Sequence, residues 1–135
     1  MKRYFPILVL TLVMVAVMTA ATSVPDTTFT LIQGLPPTMH VGDVYTVVIQ
    51  VDSDQEFISA TALPSFQYAG KGVVALQGGD RSGGGKSTML EVTFKAKSPT
   101  TRMEGSVAPV HVVVGVRYGG GYVAVQEYVF NVTVP

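Results

Sequence analysis

The chain has 135 residues, nine Lys and Arg against nine Asp and Glu, and neither Cys nor Trp. That length suits one domain, and the lack of Cys excludes a disulfide scaffold, a thiolate metal site, a cysteine nucleophile and a lipid-modified N-terminal cysteine. Balanced charge argues against nucleic acid as a partner, because such binders normally carry a basic excess.

The N-terminus reads Met1-Lys2-Arg3, then an almost unbroken apolar run from Tyr4 to Met18, then Thr19-Ala20-Ala21-Thr22-Ser23. A basic start, an apolar centre and a small-residue exit are the three parts of a secretory signal peptide. Cleavage after Ala21 and cleavage after Ser23 both fit. The other reading is an uncleaved anchor, since Phe5 to Ala21 is 17 residues, the lower limit for crossing a bilayer. On either reading residues 24–135 lie outside the cytoplasm, secreted or in the cell envelope, and the membrane is touched only through an uncleaved segment. Without residues 1–23 the chain holds seven positive and nine negative side chains, a net charge of −2.

Residues 24–135 contain 20 Val against 5 Leu, and all 14 Gly. β-Branched residues favour strands and glycines punctuate turns. No window sustains the apolar spacing of an amphipathic helix. The prediction is an all-β domain. A first edge strand covers residues 27–33 and stops at Gly34-Leu35-Pro36-Pro37, with a short continuation at 38–41. Gly42-Asp43 turns into a strong strand at 44–52, with Tyr45, Val47, Ile49 and Val51 on one face. Asp52-Ser53-Asp54-Gln55 reads as a turn, followed by weaker strands at 56–62 and 72–77. Residues 88–97 alternate, with Leu90, Val92, Phe94 and Ala96 on one side. Residues 107–118 place Val110, Val112, Val114, Val116 and Tyr118 inward. Gly119-Gly120-Gly121 closes a hairpin, and residues 122–134 return with Tyr128, Phe130, Val132 and Val134 inward. About seven short strands at regular spacing predict two antiparallel sheets packed face to face.

Three stretches carry a family likeness. Val41-Gly42-Asp43-Val44-Tyr45-Thr46-Val47-Val48-Ile49-Gln50-Val51 resembles the second strand of prokaryotic extracytoplasmic immunoglobulin-like modules. These are the CARDB-like and S-layer-associated domains and, more loosely, cohesins. Leu90-Glu91-Val92-Thr93-Phe94-Lys95-Ala96-Lys97 resembles the strand before their long loop. Val110 to Tyr118, the glycine turn and Tyr128-Val129-Phe130-Asn131-Val132-Thr133-Val134 resemble their last hairpin. The resemblance covers most of residues 38–134. It implies an immunoglobulin-like β-sandwich at the cell surface, used in adhesion, scaffolding or envelope structure. It transfers no catalytic residue. The antibody-type Cys and Trp are absent, and residues 57–77 lack the aspartate-containing segment of cohesins.

The residues with chemical potential are few. Asp80-Arg81-Ser82-Gly83-Gly84-Gly85-Lys86-Ser87 approaches a phosphate-binding loop, but Asp80 stands where the first glycine belongs and a strand pattern, not a helix, follows. It reads as a hairpin loop. Asp52, Asp54 and Glu56 have the alternation of calcium ligands. An EF-hand would need glycine where Phe57 stands and glutamate where Leu63 stands, so they form at most a loose calcium candidate. His40 and His111 are far apart in sequence and read as isolated imidazoles, with His111 on the side opposite the inward valines. No nucleophile elbow is present, so neither catalysis nor a cofactor is expected. Phe57, Phe66, Tyr68 and Tyr122 are candidate exposed aromatics, with Tyr68 and Tyr122 the ones to stack on a ligand. Asn131-Val132-Thr133 is an N-glycosylation sequon on an outward strand position.

The expectation is a noncatalytic surface module that contacts a protein partner or another copy of itself through loops or sheet edges. Val24 to Gln33 is the candidate donated strand. The alternative is a carbohydrate-binding module.

Overall fold

The computed structural model describes residues 24–65 and 73–135. The expected signal segment, Phe66 and Tyr68 lie outside the described residues. Among the described residues seven strands follow one another: β1 (Thr27–Gln33), β2 (Val44–Pro64), β3 (Val74–Gly78), β4 (Asp80–Ser82), β5 (Gly85–Ala96), β6 (Ala108–Tyr118) and β7 (Val123–Val132). Every ladder between them is antiparallel. Thr38 adds one parallel bridge to Thr133, the remnant of the short strand expected at 38–41. The all-β expectation holds.

β2 organises the rest. Its first half pairs with β1 on one side and with β5 on the other, from Val44 opposite Lys95 to Asp52 opposite Ser87. Its second half pairs with β6, from Phe57 opposite Tyr118 to Pro64 opposite Val112, and with β4. The register slips between Asp52 and Phe57. One strand therefore serves two groups, β1-β2-β5-β3 and β4-β2-β6-β7. The turn expected at Asp52-Ser53-Asp54-Gln55 is corrected by this arrangement. The backbone stays extended there and changes ladder partners, because β5 and β6 each capture one half.

Inward alternation is as expected. Val47, Ile49 and Val51 of β2, Leu90, Val92, Phe94 and Ala96 of β5, and Val110, Val112, Val114 and Val116 of β6 are all fully buried. They join Ala60, Ala62, Val132 and Val134 in one core, a sandwich-like closure of the two groups. Tyr45, at the end of its face, remains 37% exposed. In β7, Val132 is buried while Tyr128 and Phe130 are half-buried at the margin.

Two connections are held by specific bonds. In the turn before β2, the Asp43 N–H donates to the His40 carbonyl (2.9 Å), and the Asp43 carboxylate accepts the His40 N–H (2.9 Å). Gly42 sits there at φ +97°, where a side chain would strain the backbone. In the long connection before β6, the buried Thr100 hydroxyl donates to the Ser106 carbonyl (2.7 Å) and accepts from the Val134 N–H (3.0 Å). Ser106 has φ +56°, a conformation that non-glycine residues rarely adopt, and Thr100 holds its carbonyl in place.

Candidate functional site

The glycine-rich segment is not a loop throughout. Residues 80–82 form β4 against Ala60–Ala62, and β5 begins at Gly85. The Asp80 carboxylate accepts the Arg81 N–H (2.9 Å) and the Glu91 N–H (2.8 Å). It thereby ties β4 to β5, which corrects the reading of 80–87 as a plain hairpin loop. The ladder to β2 wins because β2 runs past its expected turn and offers an edge there.

The calcium candidates occupy the same stretch of β2. Asp52, Asp54 and Glu56 are exposed on alternate positions of a strand rather than around a loop. Asp52 accepts from the Ser87 hydroxyl (2.8 Å), and Asp54 accepts from the Asp26 N–H (2.8 Å). These bonds fasten β5 and the entry to β1 onto β2. Among the described residues, no three His, Asp or Glu side chains gather as a metal site would require.

The imidazoles are not isolated. His40 lies 3.7 Å from the Asp43 carboxylate. His111, on the outward side of β6 as expected, has its Nδ1 at 2.5 Å from Glu127 Oε1 of β7. His111 is 16% exposed and Glu127 51% exposed. Spacing in sequence concealed this pair, because the hairpin brings positions 16 residues apart into diagonal contact.

One end of the molecule collects aromatics. Phe57, expected on the surface, is only 3% exposed and meets Tyr118 edge-on at 6.5 Å. It is buried because β2 continues through residue 57 and turns that side chain inward. The Tyr118 hydroxyl donates to Ser53 Oγ (2.8 Å) and lies 2.5 Å from Thr27 Oγ1, joining β6 to β2 and β1. Tyr122 packs on Tyr118 with ring centres 6.0 Å apart, yet remains 41% exposed. It borders a shallow groove of about 440 Å³ between β1 and β7, which Asp26, Phe29 and Gln126 also line. Asn131 is exposed on β7, so its side chain is accessible.

The outward face of β2, β6 and β7 was not foreseen. Leu63 of β2 (44% exposed) and Val123, Val125 and Val129 of β7 (52%, 61% and 50%) point away from the core, around half-buried Val113 and Gly115 of β6. Arg117 stands beside Val123 at one end of this face, and Glu127 lies between Val125 and Val129. A signal was present. Val112-Val113-Val114 breaks the apolar–polar alternation, and β7 carries apolar residues at both parities, as strands covered on both sides do.

No protein-family model and no curated protein matches this chain. Among the described residues, no helix is long and apolar enough to cross a membrane.

Proposed function

We propose that this chain is an exported, noncatalytic immunoglobulin-like module that works by protein–protein contact at the cell surface, in adhesion, scaffolding or envelope structure. The observation that carries this reading is the outward apolar face of β2, β6 and β7, because solvent-facing valines at this density mark interaction surfaces more than isolated ones do. Strand order supports the immunoglobulin-like part. The sequence β1, first half of β2, β5, β3 follows A-B-E-D, and the second half of β2, β6, β7 follows C-F-G. The CARDB-like and S-layer-associated likeness rests on the strand motifs alone. The leader-like residues 1–23 support export. A C-terminally tagged full chain, expressed in a bacterial host, tests this. We expect a mature N-terminus at Thr22 or Val24, or an intact anchor, with the domain digestible by protease added to whole cells. Retention in the cytoplasm overturns the reading.

β1 bears on the donated-strand idea. It is paired with its own β2 from Thr27 to Gln33, so donation to a neighbour would require that ladder to open. A truncation lacking residues 24–33 that assembles as the full chain does sinks strand exchange.

A second reading, glycan binding, is favoured by Tyr122, whose half-exposed ring borders the β1–β7 groove beside Asp26 and Gln126. A glycan array decides it. Binding that Tyr122→Ala abolishes supports the reading, and no binding by the intact chain removes it.

A further inference from the structure

We propose that the free edge of β7 accepts an extended segment of a partner protein, which pairs with it as an added strand and closes the groove toward β1. The proposal rests on the protein-contact reading above and names the surface and the chemistry of the partner. β7 pairs with β6 in one register, from Arg117 opposite Val123 to Ala108 opposite Val132, and among the described residues no ladder lies on its other side. Bonded and unbonded pairs alternate along an antiparallel ladder. The Tyr118 N–H donates to the Tyr122 carbonyl, so the even-numbered residues of β7 bond to β6 and the odd-numbered ones point their backbone groups away. Thr133, just beyond β7, shows that direction in use. Its N–H donates to the Pro37 carbonyl (2.8 Å), and its carbonyl accepts the Met39 N–H (3.0 Å). Val123, Val125, Glu127, Val129 and Asn131 continue the same row. Among the described residues it is met only by the Gln126 side-chain amide, which donates to the Glu127 carbonyl (3.2 Å). Donors and acceptors that repeat roughly every 6.8 Å match the backbone of an extended peptide.

Three features single this edge out. Proteins blunt free edges with short strands, bulges, proline or lysine. β4 has three residues, β3 has five and a slip in register, and β1 slips between Leu31 and Gln33. β7 runs ten residues in unbroken register with no Pro, Gly, Lys or Arg. The inner face beside it is also unfinished. The inward residues of β6, from Ala108 to Val116, are fully buried, whereas Ala124, Tyr128 and Phe130 of β7 are half-buried and Gln126 is exposed. Phe29 of β1 is half-buried across the groove. An added strand with apolar side chains at every second position covers these residues. The third feature is charge. Asp26 is the charged residue of the groove lining, and Glu127 follows next along β7, so cationic side chains suit the remaining positions.

The probe is a fluorescein-labelled peptide, Thr-Val-Lys-Val-Thr-Val-Lys-Val-Thr, titrated into the full-length chain in mild detergent. Anisotropy reads affinity, and amide hydrogen exchange by NMR reads location. We expect saturable binding, with exchange at the Val125, Glu127 and Val129 amides slowed about tenfold. Methylating the peptide nitrogen at every second residue gives two frames. One should bind and the other fail, because only one set of peptide amides faces β7. Val125→Pro with Val129→Pro removes two outward N–H groups without touching the β6 ladder, and should weaken binding about tenfold. Glutamate in place of both peptide lysines should weaken it severalfold. Absent binding, equal binding of the two methylated frames, or an affinity unchanged by the proline variant overturns the proposal. So does protection centred away from β7, or no preference for lysine over glutamate. Melting curves of the proline variant separate lost pairing from lost folding, and the methylated peptides need no variant. Failed export leaves this assay standing, and an exported chain that ignores the peptide defeats the edge alone.

Discussion

The two groups of strands share β2 and one core, yet their outer faces differ. On the β1-β2-β5-β3 side the Thr46 and Thr93 hydroxyls meet at 3.0 Å. The Gln50 amide donates to Ser87 Oγ (2.8 Å), and the Gln33 amide donates to the Thr46 carbonyl (3.0 Å). Val44, Met89 and, at the slip in register of β1, Ile32 are exposed apolar residues of that group, with Leu31 and Leu76 partly exposed at its edges. The β2-β6-β7 side replaces this hydrogen-bonded lattice with Leu63, Val123, Val125 and Val129. The inner face of a strand is dictated by the core, whereas its outer face is free to vary, so the two outer faces can differ without disturbing the packing they share.

The largest perturbation attacks what the two groups share. Phe94→Ala empties a fully buried site between them and should cost about 3–5 kcal/mol in urea unfolding. The loss should appear in a single transition. Two separated transitions would mean that the groups fold independently and that the shared core is not cooperative. Next is Thr100→Val, which leaves the Ser106 carbonyl and the Val134 N–H without their partner and should cost about 1–3 kcal/mol by thermal melting. It should leave both outer faces unchanged.

Smaller effects sharpen the contrast itself. Val125→Thr with Val129→Thr should shift stability by no more than about 0.5 kcal/mol each, while lowering the binding of a hydrophobic dye. Thr30→Val with Thr46→Val should raise dye binding on the other side. Equal dye responses would erase the distinction.

The smallest effect concerns Tyr128, half-buried where β7 meets the core. Burial pushes its hydroxyl pKa above the ordinary 10.0, because the charged form is poorly solvated there. The fold therefore favours the neutral phenol. That contribution is fully present below pH 10, and stability falls as pH rises from there through the higher folded value. Tyr128→Phe should flatten this alkaline decline, followed by urea midpoints between pH 9 and pH 11.

Much of the fold was legible. β1 begins and ends where the sequence placed it, and the inward sets of β5 and β6 were read from alternation alone. The glycine hairpin was also legible, with Gly120 and Gly121 at positive φ and the Tyr118 N–H bonded to the Tyr122 carbonyl (2.8 Å). The misses share one cause. Asp52 to Gln55 has turn composition, yet Asp52 is paired on both sides, Ser53 is paired to β1, and the Asp54 N–H donates to the Asp26 carbonyl (3.2 Å), so the strand continues through it. The same continuation buries Phe57 and gives β4 its edge. Local propensity is a weak vote against two neighbouring strands.

The candidate site was less visible. Tyr122 was rightly read as exposed, but the His111–Glu127 pair and the apolar outer face depend on which strands lie side by side. By itself the sequence determined the strand-rich class, the inward residues and the turns, because alternation and glycine act locally. Only the tertiary structure decided that β2 spans both groups and that Val123, Val125 and Val129 share an outward face with Arg117 and Glu127. Pairing partners are chosen by contacts between residues distant in the chain, and no local pattern encodes them.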